Sequence, residues 1–261
     1  MSNQHTDNSA GPMAPGIKLD NVGLILDTHT VFRDLTLSLA PVQWHCILGR
    51  SGVGKSSLLR LLSGLQNPDT GTVTTHDDKS LFEYVSHLSQ DDGLLPWLNL
   101  LDNVQLGPRL RGTCTGSTHE RALDLLNRVG LGNWVSSLPE CLSGGMRQRV
   151  ALARTLMEGR SVVLMDEPFS RLDAITRQEL QSLAFNLLEH CTVVLVTHDP
   201  LEALRMGHTV TVLNRAGECR AQTRVLPAEP LRAVDDPVLT EQLPELWRAL
   251  QCTQTTEYAA A

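Results

Sequence analysis

No apolar run in this chain approaches the roughly 18 residues needed to cross a bilayer. The strongest runs, residues 162–165 and 192–196, are the length of strands. If the chain serves a membrane, it does so by docking to other chains. Net positive charge is missing as well: 22 Lys and Arg against 29 Asp and Glu give −7. That balance excludes broad electrostatic binding to nucleic acid, and no polybasic cluster points to anionic lipid. It does not exclude a local anion site, because a few aligned N–H groups hold phosphate without a positive surface. The six cysteines form no CxxC pair and no metal-like spacing, the usage of reduced thiols in a cytosolic protein. The opening MSNQHTDNSAGPMAPG has neither the basic start nor the apolar stretch of a secretory signal. Residues 1–16 therefore read as a flexible tail.

What is present is a globular composition, 41% hydrophobic and 20% charged, over 261 residues. That suffices for one large domain, or one with a small insertion. From Ile17 onward strand-like and helix-like segments alternate. Residues 31–39 place Leu35, Leu37 and Leu39 on one face of a strand. Residues 44–48 form a second strand that ends in a glycine-rich loop. Leucines at 58, 59, 61, 62 and 65 stripe a helix over residues 55–65. Strands follow at 71–74 and 83–88. The middle is helix-rich, with helices predicted over 99–107, 119–129 and 144–158, which implies an inserted helical subdomain. Strands return at 162–165, 192–197 and 209–214, with a helix over 174–189 between the first two. This alternation favours a mostly parallel sheet covered by helices. After Leu226, prolines at 227, 230, 237 and 244 leave only a helix over 237–250.

Three motifs carry chemistry. Gly49-Arg50-Ser51-Gly52-Val53-Gly54-Lys55-Ser56 fits GxxxxGK[ST] with a strand before it and the leucine-striped helix over 55–65 after it, and Ser57 joins these residues as nucleotide-binding. Its glycines let successive N–H groups face phosphate oxygens at a helix N-terminus. Lys55 can reach the β- and γ-phosphates, and the Ser56 hydroxyl can bind Mg²⁺. The apolar strand ending Asp166-Glu167 delivers two acids where open α/β sheets bind ligands. Asp166 suits Mg²⁺, through water, and Glu167 suits accepting the proton of an attacking water. Leu142-Ser143-Gly144-Gly145-Met146-Arg147-Gln148-Arg149 is a second glycine-rich helix start, with Ser143 as cap and its N–H groups as an anion site.

This third motif resembles the signature of ABC transporter cassettes, and other elements of that family follow in order. Gln90, before Asp91-Asp-Gly-Leu-Leu-Pro-Trp97, resembles the Q-loop glutamine. Ser170-Arg-Leu-Asp173 resembles the D-loop, and His198 in Val196-Thr-His-Asp199 resembles the switch histidine. The resemblance spans about residues 17–214. It implies an α/β fold: a P-loop NTPase core with a mostly parallel sheet, an antiparallel β subdomain and an inserted helical subdomain. The ATPase domain would cover 17–226, with the helical insertion at about 91–158, and 227–261 would be an extension with one short helix. It also implies ATP hydrolysis, with Glu167, His198 and Gln90 catalytic and with Mg²⁺ on Ser56, Gln90 and Asp166. Asp173 would be a dimer contact. The residues from Leu142 to Met146 would close over ATP bound to the opposite copy, so the cassette pairs with a second copy or a paralogous cassette. Transmembrane permease subunits would be direct partners and a solute-binding protein an indirect one, on the cytoplasmic face of the inner membrane.

Two positions depart from that pattern. The aromatic that stacks on adenine falls at Leu26, which leaves another group such as His29 to supply the platform, while Phe32 takes a core position. Arg171 stands where a small residue is usual in the D-loop, and it either reaches across the dimer or, as favoured here, points to solvent. LLPWLNLLDNV, LSGGMRQRVALARTL, DEPFSRLDAITR and THDPLEALRM look most like importer cassettes for nitrate, sulfonate, taurine or thiamine precursors. An exporter cassette, a soluble ABC ATPase and a nucleotide-sensing module without turnover are the alternatives.

Overall fold

In the computed structural model, which describes residues 14–215 and 219–251, the alternation resolves into two sheets and a helical layer. Strands β1 (Ile17–Leu26), β2 (His29–Leu39) and β4 (Thr70–Thr75) form an antiparallel sheet in the order β2-β1-β4. β1 and β2 are joined through Asp27 and Thr28, with Asp27 at φ 55. Leu35, Leu37 and Leu39 are buried and their polar neighbours exposed, the half-covered pattern that alternation predicts.

The larger sheet contains β3 (Trp44–Leu48), β5 (Val85–Leu88), β6 (Val162–Asp166), β7 (Thr192–Thr197), β8 (Thr209–Arg215) and β9 (Cys219–Val225). Its order is β5-β6-β7-β3-β8-β9, parallel throughout except for the final pair. All five residues of β3 and all six of β7 are buried, because helices cover both faces of a parallel sheet. One consequence governs everything below. Four parallel neighbours all end on the same edge, so Gln90, Asp166, His198 and the phosphate loop arrive side by side, with strands roughly 4.8 Å apart.

Between β5 and β6 lie α2 (Leu100–Val104), α3 (Leu106–Leu110), α4 (Gly116–Arg128) and α5 (Gly144–Met157). They enclose a core of their own around Leu100, Leu125, Leu126, Val150 and Met157. The helix predicted over 99–107 is thus two short helices that meet at Gln105. α4 starts earlier than its apolar stripe because Thr115 and Thr118 form a reciprocal capping box. Helix α1 (Lys55–Leu62) stops before Leu65, as Gly64 turns the chain at φ 71 and leaves Leu65 exposed.

Helices α6 (Ala174–Leu187), α7 (Pro200–Met206) and α8 (Pro237–Gln251) cover the sheet. Leu239, Leu246 and Leu250 carry α8 into the main core. The segment before it is stapled by buried Arg232, whose guanidinium donates to the carbonyls of Leu204 and Gly207 at the end of α7. A cation suits the carbonyl end of a helix. Of the tail expected over residues 1–16, residues 1–13 lie outside the described residues. Ala14 is buried, and the Pro15 carbonyl accepts from the Thr192 hydroxyl, so that end of the segment is packed. Among the described residues no helix is long and apolar enough to cross a membrane.

Candidate functional site

The phosphate loop leaves β3 at Leu48 and enters α1 at Lys55, and its glycines have different reasons to be glycines. Gly54, at the cap of α1, has φ 108, and a Cβ there would stand 2.8 Å from Val31 and 3.1 Å from the Phe32 ring. Phe32 is 1% exposed and forms the floor under the turn. Gly52 has φ 80 with open space beside it, so only its backbone conformation demands glycine. The loop and its surroundings enclose a cleft of about 500 Å³ lined by Ser51, Gly52, Val53, Gly54, Lys55, Ser56 and Ser57 together with Leu26, Val31, Gln90, Asp166 and Glu167.

Lys55 is buried, and its ammonium donates to the carbonyls of Gly49 at 2.7 Å and Arg50 at 3.2 Å. Its third neighbour is Glu167 Oε1, 3.5 Å away. The other oxygen of the same carboxylate, Oε2, lies 2.8 Å from His198 Nδ1. Glu167 therefore bridges the lysine of one strand end and the histidine of another. Its backbone makes this possible: the Glu167 N–H still donates to the Val196 carbonyl of β7 at 2.9 Å, while φ of 46 swings the residue out of the strand line. Such a conformation costs a non-glycine residue roughly 1–2 kcal/mol. It is tolerated here because the ladder bond and the two contacts of its carboxylate, with Lys55 and His198, over-determine it.

Asp166, the last residue of β6, accepts from the Ser56 hydroxyl at 3.4 Å. Burial raises its pKa above the ordinary carboxylate value, opposed by nearby His87 and assisted by the charge of Glu167. Gln90 reaches the same cleft and donates from Nε2 to Ser170 Oγ at 3.3 Å. Ser170 in turn donates to the Glu167 carbonyl at 2.9 Å. Hydroxyl, carboxylate and amide oxygens are hard donors, so Ser56, Asp166 and Gln90 fit a magnesium ion that takes its remaining oxygens from phosphate and water.

The signature residues sit elsewhere. Ser143 caps α5, its Oγ accepting from the Met146 N–H at 3.3 Å, and both Ser143 and Gly144 are exposed. Leu142 is buried in the helical layer. Gly145 is buried against α6, where a Cβ would come within 2.4 Å of Thr176 Cγ2. The segment from Leu142 to Met146 contributes nothing to the lining of the phosphate cleft. Asp173 caps α6, accepting from the N–H groups of Ile175 and Thr176 at 3.1 Å each; the Thr176 hydroxyl first, and these N–H groups with it, hold its pKa below the ordinary carboxylate value.

Arg171 is 65% exposed, as favoured, and its guanidinium also pairs at the surface with the Asp91 carboxylate, tying the D-loop-like turn to the residue after Gln90. One expectation changes: His29 does not line the cleft. The far wall beside the phosphate loop is aliphatic, made of Leu26 and Val31, both half-buried.

Several contributors carried no motif. Val31 is one. Others are α5 side chains that hold the loop after Gln90: Arg147, which lies in the signature-like motif but had no role assigned there, pairs with Asp92 at 3.0 Å, and Arg154 donates to the carbonyls of Asp92 and Gly93. Buried Asn103 clamps the next turn, donating to the carbonyls of Leu95, Leu98 and Asn99. Beside it Trp97 stands 71% exposed.

The ABC transporter family model matches residues 32–170. An uncharacterized ABC transporter ATP-binding protein of Haemophilus influenzae is 47% identical over 76% of this chain and 81% of its own length. An aliphatic sulfonates import ATP-binding protein of Rhodococcus jostii is 44% identical over 82% of this chain and 85% of its own. Its counterpart from Pectobacterium atrosepticum is 40% identical over 79% and 77%. Among solved structures, a chain from a metal-chelate type ABC transporter in an inward-facing conformation superposes with a TM-score of 0.71. It covers 81% of this chain and 83% of its own at 24% identity, a likeness of fold.

Proposed function

Since the chain belongs to the ABC transporter family as an ATP-binding, ATP-hydrolysing import cassette, we propose that the Lys55–Glu167–His198 network is its hydrolytic centre. Lys55 and the loop N–H groups from Ser51 to Ser57 hold the phosphates of ATP. Glu167 orients the attacking water and takes its proton. His198, in contact with the same carboxylate, fixes that carboxylate's direction and meets the terminal phosphate. The observation that carries this reading is the shared carboxylate: one group touches both the phosphate-binding lysine and the strand-end histidine. Phosphate arriving at Lys55 competes with Glu167 for the ammonium and frees the carboxylate for water. Magnesium, held by Ser56, Asp166 and Gln90, would supply charge neutralisation on the phosphates.

The cassette works as a pair, either two copies or this chain with a paralogue. The exposed helix end at Ser143 and Gly144 lies outside the cleft it is chemically suited to close, which supports its use on the opposite subunit's nucleotide. Permease subunits dock at the clamped turn bearing Trp97, an aromatic held at a rigid, exposed site. On this reading the chain lies peripherally on the cytoplasmic face of the inner membrane. The cargo, selected by a solute-binding protein and the permease, is an aliphatic sulfonate or a similar small solute of the nitrate, taurine or thiamine-precursor kind. The sulfonate-importer relatives favour this over export or a soluble role.

The test is Glu167→Gln. Phosphate release should fall at least about 100-fold, the usual worth of a positioned base, while nucleotide binding measured by calorimetry persists. Turnover within threefold of the parent would remove Glu167 from the role of base.

A further inference from the structure

Beside the nucleotide cleft and sharing Ser51 with it lies a second cleft of about 480 Å³. One wall is Gly49, Arg50 and Ser51 of the phosphate loop, with His198; the other is the last turn of α8, with Trp247, Leu250 and Gln251. The helix is anchored from below. Leu246 and Leu250 are buried in the main core, and α8 packs along α7 and β8. Trp247 is the residue this arrangement leaves over. It is 49% exposed, on a firmly seated helix, one turn from the end and against the loop that binds phosphate.

We propose that this tail-helix face is part of the surface that receives the second copy of the chain, with Trp247 as its anchor. The inference rests on the paired reading above and adds to it a contact outside the nucleotide-binding and signature motifs. Three observations support it. The nucleotide cleft is incomplete within one chain, since no residue from Leu142 to Met146 lines it, so a second copy must approach over the phosphate loop. The Trp247 cleft adjoins that surface at Ser51, which lines both clefts, and at His198, which touches Glu167 of the nucleotide cleft. A half-exposed tryptophan on a rigid support is also the kind of residue that dominates protein interfaces, because it buries a large area at little entropic cost. In a two-fold pair the same patch serves both copies, so each substitution acts twice.

The experiment uses the full chain carrying Glu167→Gln, which arrests turnover, and measures the ATP–Mg²⁺-dependent monomer–dimer equilibrium by sedimentation. Adding Trp247→Ala should weaken dimerisation at least tenfold while ATP affinity of the monomer at low protein concentration stays within twofold. Adding Trp97→Ala, an equally conspicuous surface tryptophan on another face, should leave the dimer constant unchanged. With Trp97 and Trp134 replaced by Phe, emission should shift to the blue on dimerisation as Trp247 is covered. An unchanged dimer constant for Trp247→Ala, or equal weakening by Trp97→Ala, overturns the proposal. So does a Trp247 emission that responds only to added permease, or that responds in the monomer to removal of residues 252–261, since either assigns the face to another occupant. If the Glu167→Gln chain stays monomeric with ATP, the paired reading fails first and this inference with it.

Discussion

His45 is the residue whose behaviour the structure fixes most tightly, and its protonation should set the acid limit of the fold. It sits in β3, the strand that feeds the phosphate loop, and is almost wholly buried. Its Nε2 is 2.8 Å from the Ala40 carbonyl and its Nδ1 is 2.8 Å from the Thr209 hydroxyl. A carbonyl only accepts, so Nε2 carries the proton and Nδ1 accepts from Thr209. The neutral ring is thus fully satisfied, and a second proton would displace the Thr209 donor inside a desolvated pocket. Burial accordingly lowers the pKa from 6.5 to about 4, with the neighbouring His208 and His76 adding to the effect and the Ala40 hydrogen bond opposing it.

The folded pKa lies below the unfolded one, so stability is fully present above about pH 6.5 and is lost as pH falls toward 4. There the unfolded chain binds a proton that the folded chain refuses. A gap of 6.5 to about 4 corresponds to about 3 kcal/mol in total, of which about 2 kcal/mol is lost between pH 7.5 and pH 5. Urea unfolding of the parent and of His45→Gln across that range isolates the contribution, because the glutamine keeps an amide donor and acceptor but does not titrate. The variant starts lower at pH 7.5 and loses about 2 kcal/mol less on acidification. Parallel stability–pH curves for the two proteins would refute the assignment. His87 and His208 are also shifted downward by burial, so both proteins retain some acid sensitivity.

Further substitutions test one wall of the cleft and the packing of α5 on α6. Leu26→Tyr restores an aromatic to the aliphatic wall formed with Val31 and should tighten nucleotide binding about fivefold in calorimetry, a fraction of the roughly 1–3 kcal/mol typical of base stacking; unchanged affinity would move the base away from that wall. Gly145→Ala should destabilise the chain by about 1–3 kcal/mol, because its Cβ meets Thr176 Cγ2 at 2.4 Å. Thr176→Ser, which deletes that methyl and keeps the hydroxyl, should recover most of the loss in thermal melts.

The motifs were legible because each is local: a strand, a glycine turn and a helix start lie within ten residues. What connects them was not. Glu167 meets Lys55 across 112 positions of sequence and His198 across 31, and neither contact has a periodicity. The Arg171–Asp91 pair is the same kind of case, where a side chain that reads as surface finds its partner on a loop from another part of the chain. Missed elements have physical reasons too. β1 was not read as a separate strand because its pairings with β2 shift register at Val22 and Leu24, breaking the two-residue alternation. β9 is a mostly polar edge strand, and α7 is only seven residues, begun by Pro200 and capped by Asp199 rather than striped by leucine.

The position of those missed contacts constrains how the site communicates with the rest of the chain. Gln90 touches Ser170, and Ser170 donates to the Glu167 backbone carbonyl, so the amide that faces the cleft is two hydrogen bonds from the main chain of the proposed base. Two and three residues on, the same loop is gripped by α5 through Arg147 on Asp92 and Arg154 on the Asp92 and Gly93 carbonyls. α5 is the helix whose N-terminus presents Ser143. A displacement of Gln90 toward the cleft must therefore either break charge-assisted bonds to α5 or draw that helix with it. Bonds of that kind are worth more than neutral ones, and several act in parallel, so movement of the helix as a unit is the cheaper course. The helix end at Ser143 and the exposed turn at Trp97 then shift together with the loop that bears Gln90. Under the function proposed above, this is the coupling that a cassette requires between nucleotide, partner copy and permease.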